Sequence, residues 1–301
     1  MTARIINGNE ISKQIREEIA REVEQLKAKT GKIPGLAVVL VGEDPASQVY
    51  VGMKEKACQK AGINSIERRL PAETKEVELL KLIQKLNDNP EINGILVQLP
   101  LPDHIDETKV LTAIAVEKDV DGFHPANVGK LMLGEETFLP CTPHGIQELI
   151  LRSGIPVEGQ HVVVVGRSNI VGKPVAMILV QKKKGANATV TICHTRTKDM
   201  GYHTRQADIL IVAAGKPKVV TAEMVKEGAV VIDVGVNEIG KTADGKRILC
   251  GDVDFESVKE KASAITPVPG GVGPMTIAML LQNTLKAFKD QEGINFPKEK
   301  F

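Results

Sequence analysis

Apolar residues recur along this chain in two periods, and the switches between them mark out the elements. Ile11, Ile15, Ile19, Val23 and Leu26 stand at helical spacing with charges between them, which predicts an amphipathic helix over 10–29, ended by Gly31 and Pro34. Leu36 to Val41 is an unbroken apolar run, as expected of a strand buried on both faces. The loop Gly42-Glu43-Asp44-Pro45 leads into a helix over 47–61 with Gly62 as its C-cap. A strand over 63–70 follows, then a helix over 74–87 that carries Val77, Leu80 and Ile83 and is closed by Asn89-Pro90. A strand over Gly94 to Leu99, a helix near 107–115, and a helix over 143–153 that Pro140-Cys141-Thr142-Pro143 opens and Gly154 ends complete this half.

Beyond Gly154 the alternation becomes regular. Val162 to Val165 are four β-branched residues in a row, stopped by Gly166, so 161–166 reads as a strand. Val175, Ala176, Ile178 and Leu179 then predict a helix over 173–182. Strands over 188–193, 208–213 and 229–234, with a helix near 221–227, continue the pattern. This is the βα alternation of a doubly wound parallel sheet, so the fold class is α/β with two domains, divided at Gly154 or slightly before. A final helix over 275–289 has Pro274 in its first turn, and residues from about 290 to 301 read as a loose tail.

Composition adds exclusions. With 42% hydrophobic and 26% charged residues in 301, the chain has room for two sizeable cores. Lys+Arg 39 against Asp+Glu 38 leave no global field to recruit nucleic acid or a membrane surface. Lys182, Lys183 and Lys184 form the sole basic run and read as a solvated helix end. No stretch reaches the ~18–20 apolar residues of a membrane helix, and no signal-peptide core opens the chain. Cys58, Cys141, Cys193 and Cys250 are too far apart for a zinc site or a disulfide framework, so a cytoplasmic protein with reduced thiols is expected.

Candidate chemistry gathers at strand ends. Strand, tight turn and helix N-terminus from His161 to Pro174 make a phosphate site, although the dinucleotide fingerprint G-x-G-x-x-G is degraded to Gly166, Ser168 and Val171, with Gly172 one place late. An ordinary strand-turn-helix corner is the competing reading. After the next strand stand His194, Thr195 and Arg196, with Arg167 in the first loop; basic and hydroxyl groups there suit a 2′-phosphate, hence NADP over NAD. Tyr50 and Lys54 share a helix face just beyond a strand end, yet a solvated lysine and a core-edge aromatic would read the same. Gln98, the single polar residue of its strand, needs partners from backbone or from ligand. Asp119 and Asp121 lack a third ligand nearby, so no metal is expected, and one of them suits the N–H groups of a heterocycle. Ile265 to Thr276, with three prolines and three glycines, forms a shaped loop that permits close backbone approach, whether as linker or as part of a site.

Six motifs in chain order resemble the bifunctional methylenetetrahydrofolate dehydrogenase/cyclohydrolase family: Tyr50-Val51-Gly52-Met53-Lys54; Val97-Gln98-Leu99-Pro100-Leu101-Pro102; Lys118-Asp119-Val120-Asp121-Gly122; Pro140-Cys141-Thr142-Pro143; Gly166-Arg167-Ser168 with Ile170-Val171-Gly172; and Pro267 through Thr276. The resemblance implies an N-terminal α/β substrate domain, 1–145, completed by a C-terminal helix in 275–301, a Rossmann-like NADP-binding domain, 146–274, and an active-site cleft between them. It implies NADP-dependent oxidation of 5,10-methylenetetrahydrofolate to the methenyl cation, then hydrolysis to 10-formyltetrahydrofolate. Lys54 would be the general acid/base held by Gln98, Tyr50 would pack on the folate ring, and Asp121 would anchor the pterin. Val51, Gly52, Met53, Val97, Leu99 and Pro267, Val268, Pro269, Gly270, Gly271 would line the substrate site; Gly166, Arg167, Ser168, Thr195, Arg196 and Ile232 would bind NADP. Some relatives use NAD, and others have lost the hydrolase; intact Lys54 and Gln98 favour two activities over a monofunctional dehydrogenase. The resemblance also suggests a homodimer, and in some relatives this unit precedes a formyltetrahydrofolate synthetase, so the chain is a standalone enzyme or an excised piece. The rivals are a shikimate-type dehydrogenase and a binding protein with a decayed nucleotide pocket.

Overall fold

Apolar runs become strands and amphipathic runs become helices in the computed structural model, which describes residues 2–242 and 245–294. In chain order the elements are β1 (Arg4–Ile5), α1 (Gly8–Thr30), β2 (Gly35–Val41), α2 (Pro45–Ala61), β3 (Asn64–Leu70), α3 (Glu76–Asn87), β4 (Gly94–Val97), α4 (Glu107–Ala113), α5 (Pro125–Leu133) and α6 (Cys141–Arg152). Then come β5 (His161–Val165), α7 (Gly172–Leu179), β6 (Thr189–Cys193), α8 (Met200–Thr204), β7 (Ile209–Val212), β8 (Val230–Asp233), β9 (Asn237–Lys241), β10 (Arg247–Cys250), α9 (Phe255–Val258), β11 (Ala264–Ile265) and α10 (Val272–Gln291). The chain divides into two units, one of residues 13–141 with 277–294 and one of residues 2–12 with 142–276. Of the tail foreseen after 290, residues 295–301 lie outside the described residues. No helix among the described residues is long and apolar enough to cross a membrane.

The first unit is built on a three-stranded parallel sheet, β3-β2-β4. Central β2 is buried along its whole length, which is why it reads as a continuous apolar run. Its alternate residues Ala37, Val39 and Val41 pack with Leu79 and Ile83 of α3 and with Ile95 and Val97 of β4. Each Val, Leu or Ile side chain among these contributes about 1.5–3 kcal/mol on full burial. α2 begins where Asp44 accepts the Ser47 amide at 2.7 Å and ends at Gly62 with φ 73°, the left-handed cap foreseen for it. From α10, Asn283 donates to the carbonyls of Val120 at 2.8 Å and Leu139 at 2.9 Å. α5 has no counterpart in the apolar pattern. Its signals are local: the His124 ring accepts the Ala126 amide, Pro125 stands at the first helical position, and Gly134 closes it at φ 77°.

In the second unit six parallel strands lie in the order β1-β11-β8-β7-β5-β6. The chain runs from β5 outward to β6, then returns to the other side of β5 with β7, so the strand order reverses between β5 and β7. The two-residue strand β1 is too short for any periodic signal; it joins this sheet because Arg4 and Ile5 pair with Ala264 and Ile265. α7 stops at Leu179, short of the expected 182, because Ala188 donates back to the Leu179 carbonyl and turns the chain into β6. The helix expected near 221–227 is only the 3₁₀ turn Ala222–Met224; Lys226 leaves the helical pattern to pair with Asp208 at 2.5 Å. β9 and β10, absent from the sequence reading, form a separate antiparallel hairpin.

Candidate active site

Helix periodicity delivers Tyr50 and Lys54 to one face of α2, one turn apart. Tyr50 is 36% exposed and Met53 46%, whereas Lys54 is only 7% exposed. The Lys54 ammonium donates to Gln98 Oε1 at 2.9 Å, and Gln98 Nε2 donates to the Leu99 carbonyl at 2.6 Å. Both ends of the Gln98 amide are therefore engaged within the chain, by backbone on one side and by Lys54 on the other. Gln98 can do this because β4 ends at Val97, which frees its side chain from the strand's alternation. The side chains of Val51 and Val97 are in the core, at 1% and 2% exposure, so these two present only backbone outward.

The two acids of the Asp119-Val120-Asp121 run have separate tasks. Asp119, 1% exposed, accepts the amides of Gly122 at 3.1 Å, Phe123 at 3.2 Å and His124 at 2.8 Å, and Asn127 Nδ2 at 2.8 Å. It shapes the turn and has no capacity left. Asp121 lies within electrostatic reach of Lys54: burial pushes its carboxyl above the ordinary range while the lysine pulls it back. Burial likewise pushes Lys54 below its ordinary value, opposed by Asp121, Cys141 and Cys58. Burial raises both thiols, Cys58 to about 11 and Cys141 well above the ordinary range, which keeps them un-ionised beside the lysine. Their proximity to Lys54 depends on tertiary packing and has no signature in sequence spacing. Burial thus weakens the hold of Lys54 on its proton and of Asp121 on its charge, and titratable groups perturbed in this way mark a candidate site.

The nucleotide loops belong to the other unit. At Gly166 φ is 135°, and a Cβ there would lie 2.2 Å from the Ala213 carbonyl oxygen. A Cβ at Gly172 would lie 2.2 Å from the Gly166 carbonyl oxygen, so the glycine one place late supplies the close packing that the fingerprint's last glycine normally provides. Ser168 Oγ accepts the amides of Val171 at 3.1 Å and Gly172 at 3.3 Å. β5 and β6 pair in register, Val165 opposite Cys193, so Arg167 and Arg196 both follow the carboxyl ends of adjacent strands. A turn closed by Thr197 N on the His194 carbonyl, at 2.8 Å, presents Thr195 and Arg196 to solvent. Neither Arg167 nor Arg196 is ion-paired among the described residues. This glycine cradle and the two free guanidinium groups fit a phosphorylated dinucleotide. Ile232 is fully buried in β8, and Pro267 to Gly271 follow β11 in this same unit. Two buried acids here, Asp233 and Asp252, have no motif of their own in the sequence, where the nearby glycines 235 and 251 are the only hint.

Residues 6–121 match the family model for the tetrahydrofolate dehydrogenase/cyclohydrolase catalytic domain, and residues 140–292 match that for its NAD(P)-binding domain. A curated relative from Syntrophus aciditrophicus, "Bifunctional protein FolD", is 64% identical over 294 residues, covering 98% of this chain and 100% of the relative. Among solved structures, the bifunctional FolD of Campylobacter jejuni is 51% identical with a TM-score of 0.89, covering 96% of this chain and 99% of that one. The Trypanosoma brucei enzyme, solved with NADP cofactor and an inhibitor, is 40% identical with a TM-score of 0.91, covering 96% and 98%.

Proposed function

Because the chain belongs to the tetrahydrofolate dehydrogenase/cyclohydrolase family, we propose residue roles for its two reactions. It is a bifunctional enzyme of folate one-carbon metabolism: NADP-dependent oxidation of 5,10-methylenetetrahydrofolate to 5,10-methenyltetrahydrofolate, then hydrolysis to 10-formyltetrahydrofolate. When bound, NADP⁺ would supply the acceptor for the hydride, the hydrogen with its C–H bonding electrons, that leaves the methylene carbon. The nitrogen lone pair beside that carbon drives its departure, so the protein contributes positioning rather than a base. In our reading Gly166, Ser168 and Gly172 cradle the pyrophosphate at the start of α7, while Arg167, Thr195 and Arg196 receive the 2′-phosphate.

The hydrolysis needs proton transfer, and Lys54 is assigned to it. Neutral Lys54 accepts a proton from water as the oxygen bonds to the methenyl carbon, then returns it to N5 as the carbon–N5 bond breaks; the second water proton leaves to solvent as the formyl C=O forms. The observation that carries this reading is the buried Lys54–Gln98 contact of 2.9 Å, which aims the amine while burial keeps it from binding its proton tightly. Tyr50 packs on the folate ring and Asp121 takes the pterin N–H groups. Following NADPH and methenyl-folate together, wild type should form NADPH with little methenyl build-up. Lys54→Ala should lose about 10²- to 10⁴-fold in hydrolysis, the range for a general acid/base, while still forming NADPH. Hydrolysis as fast as wild type would remove Lys54 from the mechanism.

We place the enzyme in the cytoplasm as a homodimer. The four free cysteines support a reducing compartment, and the dimer rests on the family resemblance. Analytical ultracentrifugation should give twice the chain mass; a monomer at micromolar concentration would count against it.

A further inference from the structure

Two buried carboxylates that the proposed chemistry does not use stand at the carboxyl edge of the six-stranded sheet. Asp252, 0% exposed, accepts three consecutive backbone amides, Ala214 at 2.7 Å, Gly215 at 2.8 Å and Lys216 at 3.0 Å, and also Asn237 Nδ2 at 2.9 Å. Asp233, 3% exposed, accepts the amides of Gly235 at 3.0 Å, Asp252 at 2.9 Å and Val253 at 3.0 Å. Neither acid is ion-paired with a basic side chain among the described residues. Two glycines make room for them: a Cβ at 235 would lie 2.1 Å from Asp252 Oδ1, and one at 251 would lie 1.8 Å from Asp233 Oδ2. Burying two carboxylates without a cation is expensive unless backbone dipoles answer them, and here the dipoles come from loops.

Those loops occupy a defined place. Ala213 follows β7, donates to the Val165 carbonyl at 2.7 Å, and holds its own carbonyl where a Cβ at Gly166 would clash. The 213–216 segment thus abuts the Gly166 turn at the point where the strand order reverses, the crevice in which doubly wound sheets hold dinucleotides. With the pyrophosphate over that turn and the 2′-phosphate towards β6, the nicotinamide half extends the other way, over β7 and β8. Three successive amides facing one point form a ready anion site; Asp252 fills it from within the protein and so sets the loop's shape without a bound phosphate.

We propose that Asp252 is a positioning residue for the cofactor: its carboxylate, itself seated by Asp233, fixes the loop after β7 in the form that receives the nicotinamide half of NADP. The assignment rests on the nucleotide-site reading above. Its test is Asp252→Asn, assayed for NADPH binding by fluorescence, for KM and kcat with NADP⁺, and for hydrolysis of supplied methenyltetrahydrofolate. The expected result is a tenfold or greater rise in KM for NADP⁺ with weaker NADPH binding, while hydrolysis in the same sample keeps at least half its rate. In Asp252→Ala, millimolar formate should occupy the vacated carboxylate position and lower the KM again. Wild-type KM and NADPH binding in Asp252→Asn would overturn the proposal while leaving the nucleotide site standing, as would an equal loss of both activities that formate does not reverse. A wild type that binds no NADPH would overturn the nucleotide-site reading and this proposal with it. Should both Asp252 variants fail to fold, Asn237→Ala, which removes one donor to the carboxylate, should still raise the KM two- to fivefold; no change there would overturn the proposal.

Discussion

Lys54 shows how one residue can oppose the stability of the fold that holds it. Its stem is buried on α2, and burial disfavours the ammonium more than Asp121 favours it. Protonated Lys54 therefore costs the folded state stability at every pH below its lowered pKa. That cost fades as pH rises from there towards 10.5, the ordinary lysine value. Lys54→Met keeps an apolar stem of similar length and removes the buried charge. We expect it to abolish hydrolysis yet raise stability near neutral pH by roughly 1–2 kcal/mol, a few degrees in Tm, after the loss of the Gln98 contact. The gain should shrink towards pH 10. A Tm that falls, or a gain independent of pH, would mean the ammonium is well solvated or fully compensated. Nothing in the Tyr50–Lys54 spacing distinguished this lysine from a solvated one; what decided the matter was Gln98 and Asp121 arriving from distant parts of the chain. The acids of the 119–121 run divide on a local ground instead, since only the closed turn, with partners three to eight residues on, reveals that Asp119 is saturated.

Among the elements, the strand-turn-helix from β5 to α7 works with an irregular fingerprint because its glycines meet in space. Gly172→Ala would put a methyl group 2.2 Å from the Gly166 carbonyl oxygen, and backbone on both sides cannot give way cheaply. The expected outcome is a loss of about 1–3 kcal/mol in stability and at least a tenfold rise in KM for NADP⁺, with hydrolysis of methenyltetrahydrofolate less affected. Thermal melts and NADP⁺ titrations check both; an unchanged KM would show that the turn can open without harm. Element types with strong periods were legible: β2 and β5 from runs of aliphatic residues, α2 from its Gly62 cap. The misses have local causes. α5 announces itself only by caps, β1 is two residues long, and the pattern near 221–227 yields a single 3₁₀ turn because Lys226 is drawn to Asp208.

For the whole molecule, neither unit is a continuous piece of chain. Residues 2–12 supply β1 to the sheet of the second unit, and residues 277–294 supply Asn283 and the buried Leu280, Leu281, Leu285 and Phe288 to the first. Each large aliphatic or aromatic side chain among them is worth about 1.5–3 kcal/mol, against a total of about 5–15 kcal/mol for an ordinary domain. A chain ending at residue 276 should therefore lose cooperative unfolding of the first unit by circular dichroism and become protease-sensitive between 13 and 141. A truncated protein that melts like the full chain would contradict this. The sequence by itself determined the fold class, the strand and helix types with clear periods, and, through six ordered motifs, the family. These are properties of local pattern, written in neighbouring residues. Only the tertiary structure decided which lysine is buried, which acid is spent on a turn, and that Asp233 and Asp252 hold the loops at the sheet edge. Burying Lys54 and seating Asp252 bring together residues tens of positions apart; Asp119 bonds residues only three to eight positions on, but which acid closes that turn depends on backbone conformation, which spacing along the chain does not encode.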